Sequence, residues 1–326
     1  MRILVTGATG QIGSELTLEL RKRYGGNQVV AAGHRKPASE TLASSGPFVS
    51  LDVANRDALA QVIREHRIEA VYHLAAVLSA TGEQNPQRAW EVNVTGLYNL
   101  LELAREGGIA QIFHPSSIAV FGPRTPRDQT PQDTVLSPTT MYGVTKVTGE
   151  LLADYYAHRY GLDIRGLRYP GIISSETPPG GGTTDYAVEM FYHAVEGKPY
   201  TCFVREDTML PMMYMPDCLR SAIDLMAAPN ANLRWRTYNV TAMSFTAAEL
   251  AGEIRKHVPG FRIEYRPDFR QAIADSWPRS IDDSTAREDW GWNPRYGLAE
   301  MVKEMLDALA RRKAAGCLYP VVAESR

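Results

Sequence analysis

The sequence is poor in cysteine, and this scarcity limits the kinds of site that it can hold. Its 326 residues include only Cys202, Cys218 and Cys317, an odd number spread widely along the chain. They show no CxxC spacing, so neither a disulfide framework nor a structural zinc site is expected. We therefore expect no metal ion and interpret the three thiols as buried or inert.

An excess of positive charge and a long apolar run are also missing. Lys and Arg number 35 against 37 Asp and Glu, and no cluster of basic residues marks a nucleic-acid surface. No apolar stretch reaches the ~18 residues that a membrane helix needs. The first residues already have the pattern of a strand, which leaves no room for a signal peptide. We expect a cytoplasmic protein that binds neither nucleic acid nor a membrane.

The first half of the chain alternates short apolar runs with helical patterns. The predicted strands cover 2–5, 28–33, 48–53, 69–76, 111–117 and 163–170, and the predicted helices cover 14–24, 57–66, 86–107 and 139–161. Strands separated by helices imply βαβ units, whose right-handed crossovers build a parallel sheet covered on both faces. The predicted fold class is therefore α/β, with a doubly wound parallel sheet.

The second half is less regular and predicts a smaller C-terminal substrate domain. Proline and glycine crowd 170–182, and prolines stand at both ends of 211–216. The clearest elements are a strand at 237–241 and helices at 217–229, 244–260 and 299–316. We expect the chain to return once to the sheet. The predicted division is a dinucleotide-binding domain at 1–170 and 210–243, a substrate domain at 171–209 and 244–316, and a tail at 317–326.

A glycine-rich turn at the N-terminus predicts a dinucleotide site. Gly7, Gly10 and Gly13 follow the first strand and open the first helix. Gly7 would form the tight turn, Gly10 would let the backbone approach a pyrophosphate, and Gly13 would let helix and strand pack closely. The helix N-terminus would supply amide donors for the anion.

The end of the second strand leaves the choice between NAD and NADP open. NAD sites usually carry an acid there for the ribose hydroxyls, but this strand ends at Gly33. His34, Arg35 and Lys36 follow, and such a basic cluster could accept a 2′-phosphate, stack on adenine or remain solvated. Asp52, at the end of the third strand, is a candidate acceptor for the adenine amine.

Tyr142 and Lys146 form a candidate catalytic pair. Their spacing of four places both side chains on one face of the predicted helix 139–161. A phenol is a poor base at pH 7, but a neighbouring ammonium and an oxidised nicotinamide both favour the phenolate. Ser116 and Ser117 end the fifth strand at the carboxyl edge, where a serine can hold a substrate oxygen near the tyrosine.

In this order, the glycine turn, "HLAA" (73–76), "NVTG" (93–96), "SS" (116–117) and YxxxK resemble the extended short-chain dehydrogenase/reductase family. The resemblance implies a Rossmann-type domain and a catalytic set of Tyr142, Lys146 and Ser117, with Ser116 as a neighbour. It also implies a homodimer formed through the helices 86–107 and 139–161. The cofactor-binding residues that it implies are Gly7, Gly10, Gln11, Ile12, Gly13, Arg35, Asp52, Val53, Leu74, Ala75, Ala76, Asn93, Tyr142, Lys146, Tyr169 and Ile172.

The stretch "PPGGGTTDYAVEM" (178–190) raises the question of the substrate. Diphosphate-bearing substrates need cationic partners, yet residues 169–197 contain no Lys or Arg. The loop also lacks the G-K-[ST] ending of a phosphate-binding P-loop. We therefore expect a mobile lid that closes over something small.

Two longer blocks, 168–194 and 210–226, resemble the substrate region of the short-chain type of L-threonine 3-dehydrogenases. This resemblance implies NAD-dependent oxidation of the threonine β-hydroxyl to 2-amino-3-oxobutanoate without a metal ion. Asp185 is an ammonium partner or a helix cap, and Trp277 walls the cleft or is simply buried. The expected substrate-binding residues are Ser79, Ser117, Tyr142, Gly182, Thr183 and Thr184.

Two alternatives stay open at this point. A nucleotide-sugar epimerase or reductase of the same family would need cations in the substrate domain, for which Arg205, Arg234 and Arg236 are available. A dinucleotide-sensing protein without catalysis would show a degraded catalytic set, but Tyr142 and its partners are all present.

Overall fold

The first half of the chain folds into a parallel β-sheet with helices on both faces, and this architecture confirms the predicted fold class. The structure is a computed structural model that describes residues 1–178, 180 and 182–319. Pro179 and Gly181, in the predicted glycine loop, and residues 320–326, in the predicted tail, lie outside the described residues.

The main sheet has the strand order β11-β7-β5-β4-β1-β2-β3, with the short β6 beside β7. All of its pairings are parallel. The order reverses at β1, which lies between β2 and β4, so a crevice opens at the carboxyl ends of these strands. The strands are β1 (Ile3–Thr6), β2 (Val29–Gly33), β3 (Phe48–Ser50), β4 (Ala70–His73), β5 (Gln111–Phe113), β6 (Ser116–Ser117), β7 (Asp163–Tyr169), β8 (Gly171–Ile173), β9 (Tyr200–Cys202), β10 (Met209–Tyr214), β11 (Thr237–Asn239), β12 (Met243–Thr246) and β13 (Ile263–Tyr265).

Two long predicted helices are present with changes at their ends and, in one, a change of pitch. The predicted helix 86–107 contains a π-helical turn at Glu91–Thr95, between α5 and α6. The predicted helix 139–161 is the regular α7, which Gly161 ends in a left-handed conformation. The α-helices are α1 (Gln11–Tyr24), α2 (Glu40–Ser44), α3 (Arg56–Glu65), α4 (Ser79–Gln84), α5 (Pro86–Trp90), α6 (Gly96–Glu106), α7 (Met141–Tyr160), α8 (Tyr186–Glu196), α9 (Met215–Ala227), α10 (Ala247–His257), α11 (Arg270–Asp275), α12 (Ser284–Trp290) and α13 (Leu298–Ala314).

The core explains why the central strands are apolar throughout. Alternate side chains point to opposite faces of a strand, and both faces of this sheet are covered. Ile3 and Val5 of β1 therefore pack in one cluster with residues of α1 and α9. Leu4, between them, packs in a second cluster with residues of α3 and α6.

The second half adds a smaller body beside the carboxyl edge of the main sheet. In its three-stranded sheet, β10 pairs with β12 in antiparallel and with β8 in parallel orientation. A further pair, β9 and β13, and the helices α8, α10 and α13 belong to the same apolar cluster. The helix α9 packs on the main sheet and β11 extends it. The exact domain boundaries stay a prediction.

Among the described helices, none is both long and apolar enough to cross a membrane.

Candidate active site

The glycine turn has the geometry that a dinucleotide site requires. Gly7 has a φ of +68°, which L side chains rarely adopt, and a Cβ there would lie 2.6 Å from the backbone nitrogen of Ala75. A Cβ on Gly13 would lie 2.2 Å from the Gly7 carbonyl oxygen. Helix α1 begins after Gly10 without a side-chain cap, so its first amides face the crevice without an intrahelical partner. The turn therefore combines close backbone packing with free anion-binding amides.

Two adjoining hollows, which share Gly7, Gly10, Leu74 and Ala76, form one groove along the carboxyl edge. We call the hollow over β2 and β3 the outer groove. Its lining comprises Gly7, Thr9, Gly10, Gly33, His34, Arg35, Lys36, Leu51, Asp52, Val53, Leu74, Ala75, Ala76, Val77, Thr81, Asn85, Arg88 and Val92.

We call the hollow between the main sheet and the second half the inner cleft. It brings together the predicted catalytic residues, most of the remaining cofactor residues and the predicted substrate residues. Its lining comprises Gly7, Gly10, Gln11, Ile12, Gly13, Leu74, Ala76, Leu78, Ser79, Pro115, Ser116, Ser117, Ile118, Tyr142, Lys146, Tyr169, Pro170, Gly171, Ile172, Gly182, Thr183, Thr184, Asp185 and Trp277.

Asp52 lies at the far end of the outer groove in a small charged cluster. Its carboxylate accepts a hydrogen bond from Arg88 at 3.2 Å and lies 3.6 Å from Nδ1 of His34. The pKa of Asp52 is lowered: burial works against the shift, and the Ala54 amide, Arg88 and His34 outweigh it. The sequence did not single out Arg88, because an arginine on a surface helix carries no local signal of its partner.

Tyr142 and Lys146 lie near the start of α7, with Nζ of Lys146 5.5 Å from the centre of the tyrosine ring. The ammonium donates a hydrogen bond of 2.6 Å to the carbonyl of Pro115. Burial lowers the pKa of Lys146 to about 8, while Glu150 acts in the opposite direction. Thr140 caps the helix by accepting a hydrogen bond from Gly143, and this cap fixes the turn that carries Tyr142.

Burial raises the pKa of Tyr142 to about 12, while the nearby Ser117 side chain lowers it. The sequence pointed to a lower pKa through the charges of Lys146 and an oxidised nicotinamide, whereas burial within the protein itself raises it. The physical reason is that removal from water destabilises the phenolate more than the neighbouring groups stabilise it. At neutral pH such a phenol is protonated.

The two serines of β6 have different surroundings. Ser117 is partly exposed, and its Oγ accepts a hydrogen bond of 3.2 Å from the amide of Ala119. Ser116 is buried and donates to the carboxylate of Glu150, which also pairs with Arg168. Ser117 thus faces the cleft, whereas the hydroxyl of Ser116 is held by a buried ion pair. Glu150 was not predicted from the sequence, although it follows Lys146 by the same spacing of four that joins Lys146 to Tyr142.

The glycine loop forms one wall of the inner cleft through its C-terminal part. Thr183 is only 1% exposed, and its hydroxyl has no hydrogen-bond partner among the described residues. Asp185, at the start of α8, accepts a hydrogen bond of 2.7 Å from the amide of Gly182 and so shapes the loop. Ser79 and Trp277 are also buried against the cleft. A buried hydroxyl without a partner marks a place where a polar ligand group can bind.

One predicted cofactor residue, Asn93, lies behind the groove instead of lining it. Its side chain accepts a hydrogen bond from the amide of Val77 and donates to the Val77 carbonyl and to Thr145. These bonds join the π-helical turn to the segment after β4 and to α7. Asn93 therefore connects the cofactor-binding backbone with the helix that carries Tyr142.

The three arginines that could serve a diphosphate substrate do not line either hollow. Arg205 pairs with Asp275, and Arg234 pairs with Glu288 and Asp289. Arg236 donates to the Asn230 side chain and to the Leu233 carbonyl. The nucleotide-sugar alternative therefore finds no support in their positions. Within the described part of the chain, no group of three or more His, Cys, Asp or Glu residues could hold a metal ion.

Comparison with known proteins shows which family the chain belongs to. The model of the NAD dependent epimerase/dehydratase family matches residues 3–241. The chain belongs to this family.

Its relatives include several L-threonine dehydrogenases. The chain is 50% identical over 307 residues to the mitochondrial L-threonine 3-dehydrogenase of Bos taurus, covering 94% of this chain and 82% of that protein. The L-threonine dehydrogenase of Cupriavidus necator, solved in its holo form, is 54% identical with a TM-score of 0.92, covering 95% of this chain and 100% of its own. A monomeric L-threonine 3-dehydrogenase from a metagenome is 48% identical with a TM-score of 0.91, covering 95% and 99%. These similarities confirm the resemblance found in the sequence.

Proposed function

We propose that this chain is an L-threonine 3-dehydrogenase that oxidises the β-hydroxyl of L-threonine to 2-amino-3-oxobutanoate with NAD. The observation that carries the proposal is the arrangement of the inner cleft. Ser117 of β6 and Tyr142 of α7 line it together, and the glycine loop contributes the hydroxyl of Thr183, which has no partner among the described residues. The wall at 169–197 has no Lys or Arg, which suits a small zwitterion better than a diphosphate. The relatives named above support the same substrate.

The groove fits a nicotinamide dinucleotide. The close approach of Gly13 to the Gly7 carbonyl and the uncapped start of α1 suit a pyrophosphate. In the outer groove, Asp52 and Val53 would hold the adenine, and Arg35 would lie near the adenosine ribose. In the inner cleft, Lys146, Tyr169 and Ile172 would face the nicotinamide end. An oxidised nicotinamide bound there would supply a hydride acceptor for the β-carbon of threonine and a positive charge in the cleft.

Tyr142 is the base that takes the hydroxyl proton of threonine. Its pKa of about 12 must fall for this role, and positive charge beside the phenol produces such a shift. Lys146 contributes one such charge, since the carbonyl of Pro115 and the carboxylate of Glu150 favour its ammonium form. Ser117 donates to the substrate oxygen and holds it close to the phenol. The C–H pair of electrons leaves as hydride while the O–H proton passes to Tyr142, which balances the two-electron oxidation.

The amino-acid end of threonine is held by hydroxyl groups. Ser79, from the start of α4, and Thr183 and Thr184, from the glycine loop, would bind the carboxylate from opposite sides. The amide of Gly182 lies next to them and donates its hydrogen bond to Asp185, which holds the loop in place. With its hydroxyl buried and unpartnered among the described residues, Thr183 gains most from a carboxylate oxygen, because a buried unpaired hydroxyl costs about 1–3 kcal/mol.

The assembly proposed for the protein is a homodimer formed through α5–α6 and α7. Large apolar side chains stay exposed on these helices, with Leu151 63% and Tyr155 54% accessible. Apolar side chains that cluster on one helix face often mark an interface between subunits. One relative is described as monomeric, so the sedimentation coefficient of the protein decides between the two states.

Turnover of a Tyr142→Phe variant tests the proposal. The reduced cofactor formed from L-threonine is followed by absorbance, and dinucleotide binding is measured separately by fluorescence. The variant loses turnover by a factor of about 100 or more while it still binds the dinucleotide. Tyr24→Phe, at an exposed tyrosine on α1, is the matched control and keeps wild-type turnover. Full turnover by Tyr142→Phe would remove the tyrosine from the mechanism.

A further inference from the structure

The ribose end of the outer groove lacks the carboxylate that selects NAD. In dinucleotide-binding units of this kind, an acid about 20 residues after the glycine turn binds the ribose hydroxyls. Gly33 occupies that position here, at the end of β2. The hydroxyls of an adenosine ribose therefore have no carboxylate partner from this strand.

The space next to Gly33 is already filled by other side chains. A Cβ built on Gly33 would lie 2.8 Å from Cγ2 of Thr9 and 3.0 Å from Cζ of Phe48. An acid could enter this position only if both neighbours moved. The packing of Thr9 and Phe48 around Gly33 therefore leaves no room for an acidic side chain at this position.

The charges around the same end are mostly positive. Arg35, Lys36 and Arg88 line the outer groove, and Asp52 is the acidic residue among its lining. Asp52 is already paired with Arg88, which also binds Glu91. Among the described residues, Arg35 and Lys36 form no ion pair, and they are exposed at the mouth of the groove.

We propose that the outer groove binds NADP(H) as well as NAD(H), with Arg35 as the partner of the 2′-phosphate and Lys36 beside it. Guanidinium groups suit phosphates because they donate parallel hydrogen bonds to two oxygens. The absent acid removes the repulsion that would otherwise reject the phosphate. The inference rests on the dinucleotide groove of the proposed function, but it requires no turnover of threonine.

Direct binding tests this inference separately from activity. The purified protein, without threonine, is titrated with NADPH and with NADH, and the fluorescence of the bound reduced nicotinamide gives both dissociation constants. We expect the dissociation constant of NADPH to lie within about tenfold of that of NADH, since the phosphate gains charge-assisted bonds and meets no acid. NADPH binding weaker than NADH binding by more than this factor would overturn the proposal.

The Arg35→Gln variant tests the named partner. It weakens NADPH binding by about tenfold or more, because a charge-assisted contact to phosphate is lost, and changes NADH binding much less. Arg64→Gln removes the same charge from an exposed position on α3, and it leaves both constants unchanged. An equal loss for both cofactors would assign Arg35 to the adenine, and no loss for either would leave it solvated. Either of these results would contradict the proposed 2′-phosphate contact.

The salt dependence of the two constants gives a second readout. An exposed phosphate–guanidinium pair is screened by salt, so NADPH binding weakens more steeply than NADH binding as the salt concentration rises. The difference between the two slopes disappears in Arg35→Gln. Parallel slopes in the wild-type protein would show that the 2′-phosphate meets no cation.

Discussion

The hydroxyl of Ser116 donates a hydrogen bond of 2.5 Å to the carboxylate of Glu150, inside the protein and directly behind the proposed catalytic lysine. Glu150 also forms a buried ion pair with Arg168 of β7. The carbonyl of Pro115, one residue before Ser116, accepts the hydrogen bond from Lys146. The start of β6 is thus held at two successive residues, Pro115 and Ser116, by one face of α7. Glu150 positions the segment that orients Lys146 and Ser117.

The first prediction concerns this ion pair. Glu150→Gln removes the charge and leaves Arg168 buried without its carboxylate, so the free energy of unfolding falls by about 3–5 kcal/mol. Urea denaturation measures the change. Glu65→Gln, at an exposed glutamate on α3, is the control and changes stability by about 0.5 kcal/mol or less. A Glu150→Gln protein as stable as the control would show that the pair does not support the fold.

The second prediction is a pH dependence of stability that arises at Glu15. Burial against the segment after β8 raises its pKa from 4.5 to about 7, although it accepts a hydrogen bond from Ser174. The folded state therefore favours the protonated carboxyl. Protonation of Glu15 contributes fully to the free energy of unfolding below pH 4.5. This contribution decreases as the pH rises towards 7 and is lost above that value.

Glu15→Gln isolates this effect, because the amide stays neutral at every pH. The variant gains stability relative to wild type between pH 5 and pH 8, by up to roughly 3 kcal/mol for a shift of this size. Thermal or urea unfolding at the two pH values provides the measurement, with Glu65→Gln as the exposed comparison. A stability difference that does not change with pH would contradict the account.

The third prediction concerns the glycine turn. Gly13→Ala places a methyl group 2.2 Å from the Gly7 carbonyl, so the turn must shift. The variant loses about 1–3 kcal/mol of stability and binds dinucleotide more weakly. The matched control is Gly252→Ala in α10, where a Cβ meets no atom within 4 Å. The control gains up to about 1 kcal/mol from its higher helix propensity. Equal effects of the two substitutions would rule out the close approach at Gly13.

The fourth prediction concerns Thr183. Thr183→Val keeps the shape of the side chain and removes a buried hydroxyl that has no partner among the described residues. Stability is unchanged or slightly higher, whereas the KM for L-threonine rises about tenfold, as the loss of a hydrogen bond to a charged group implies. Steady-state rates and urea unfolding separate the two effects. An unchanged KM together with lower stability would make Thr183 a packing residue.

The sequence predicted those features that depend on local patterns. The glycine turn at Gly7–Gly13 and the pairing of Tyr142 with Lys146 each lie within one strand–turn–helix unit or one helix. The boundaries of β2 and α7 agree with the predicted ones within two residues. Such features follow from spacing alone, because the side chains involved are neighbours in the chain.

Features that depend on distant contacts were not predicted. Glu150 meets Ser116 and Arg168 only after α7 packs against β6 and β7, and no local pattern marks the carboxylate as buried. The strand β10 was missed because Pro211 reads as a breaker. In the structure Pro211 pairs with Ser244 of β12, while the pairing with β8 begins at Met212. Pro211 thus precedes the residues of β10 that pair with β8 and does not itself pair with that strand.

The pKa of Tyr142 shows a different limit of sequence analysis. The position of Lys146 suggested a lowered pKa, but the direction depends on how much water the fold removes from the phenol. Burial raises that pKa to about 12. The balance between desolvation and charge appears only when the atoms around the ring are in place.

The most direct test of the central claim uses L-threonine labelled with deuterium at the β-carbon. The protein is incubated with this substrate and NAD, and the reduced cofactor is analysed by mass spectrometry. The account predicts that the reduced cofactor gains one deuterium and that the Tyr142→Phe variant forms almost none. A reduced cofactor without deuterium, or no reduction by the wild-type protein, would contradict hydride transfer from threonine in the inner cleft.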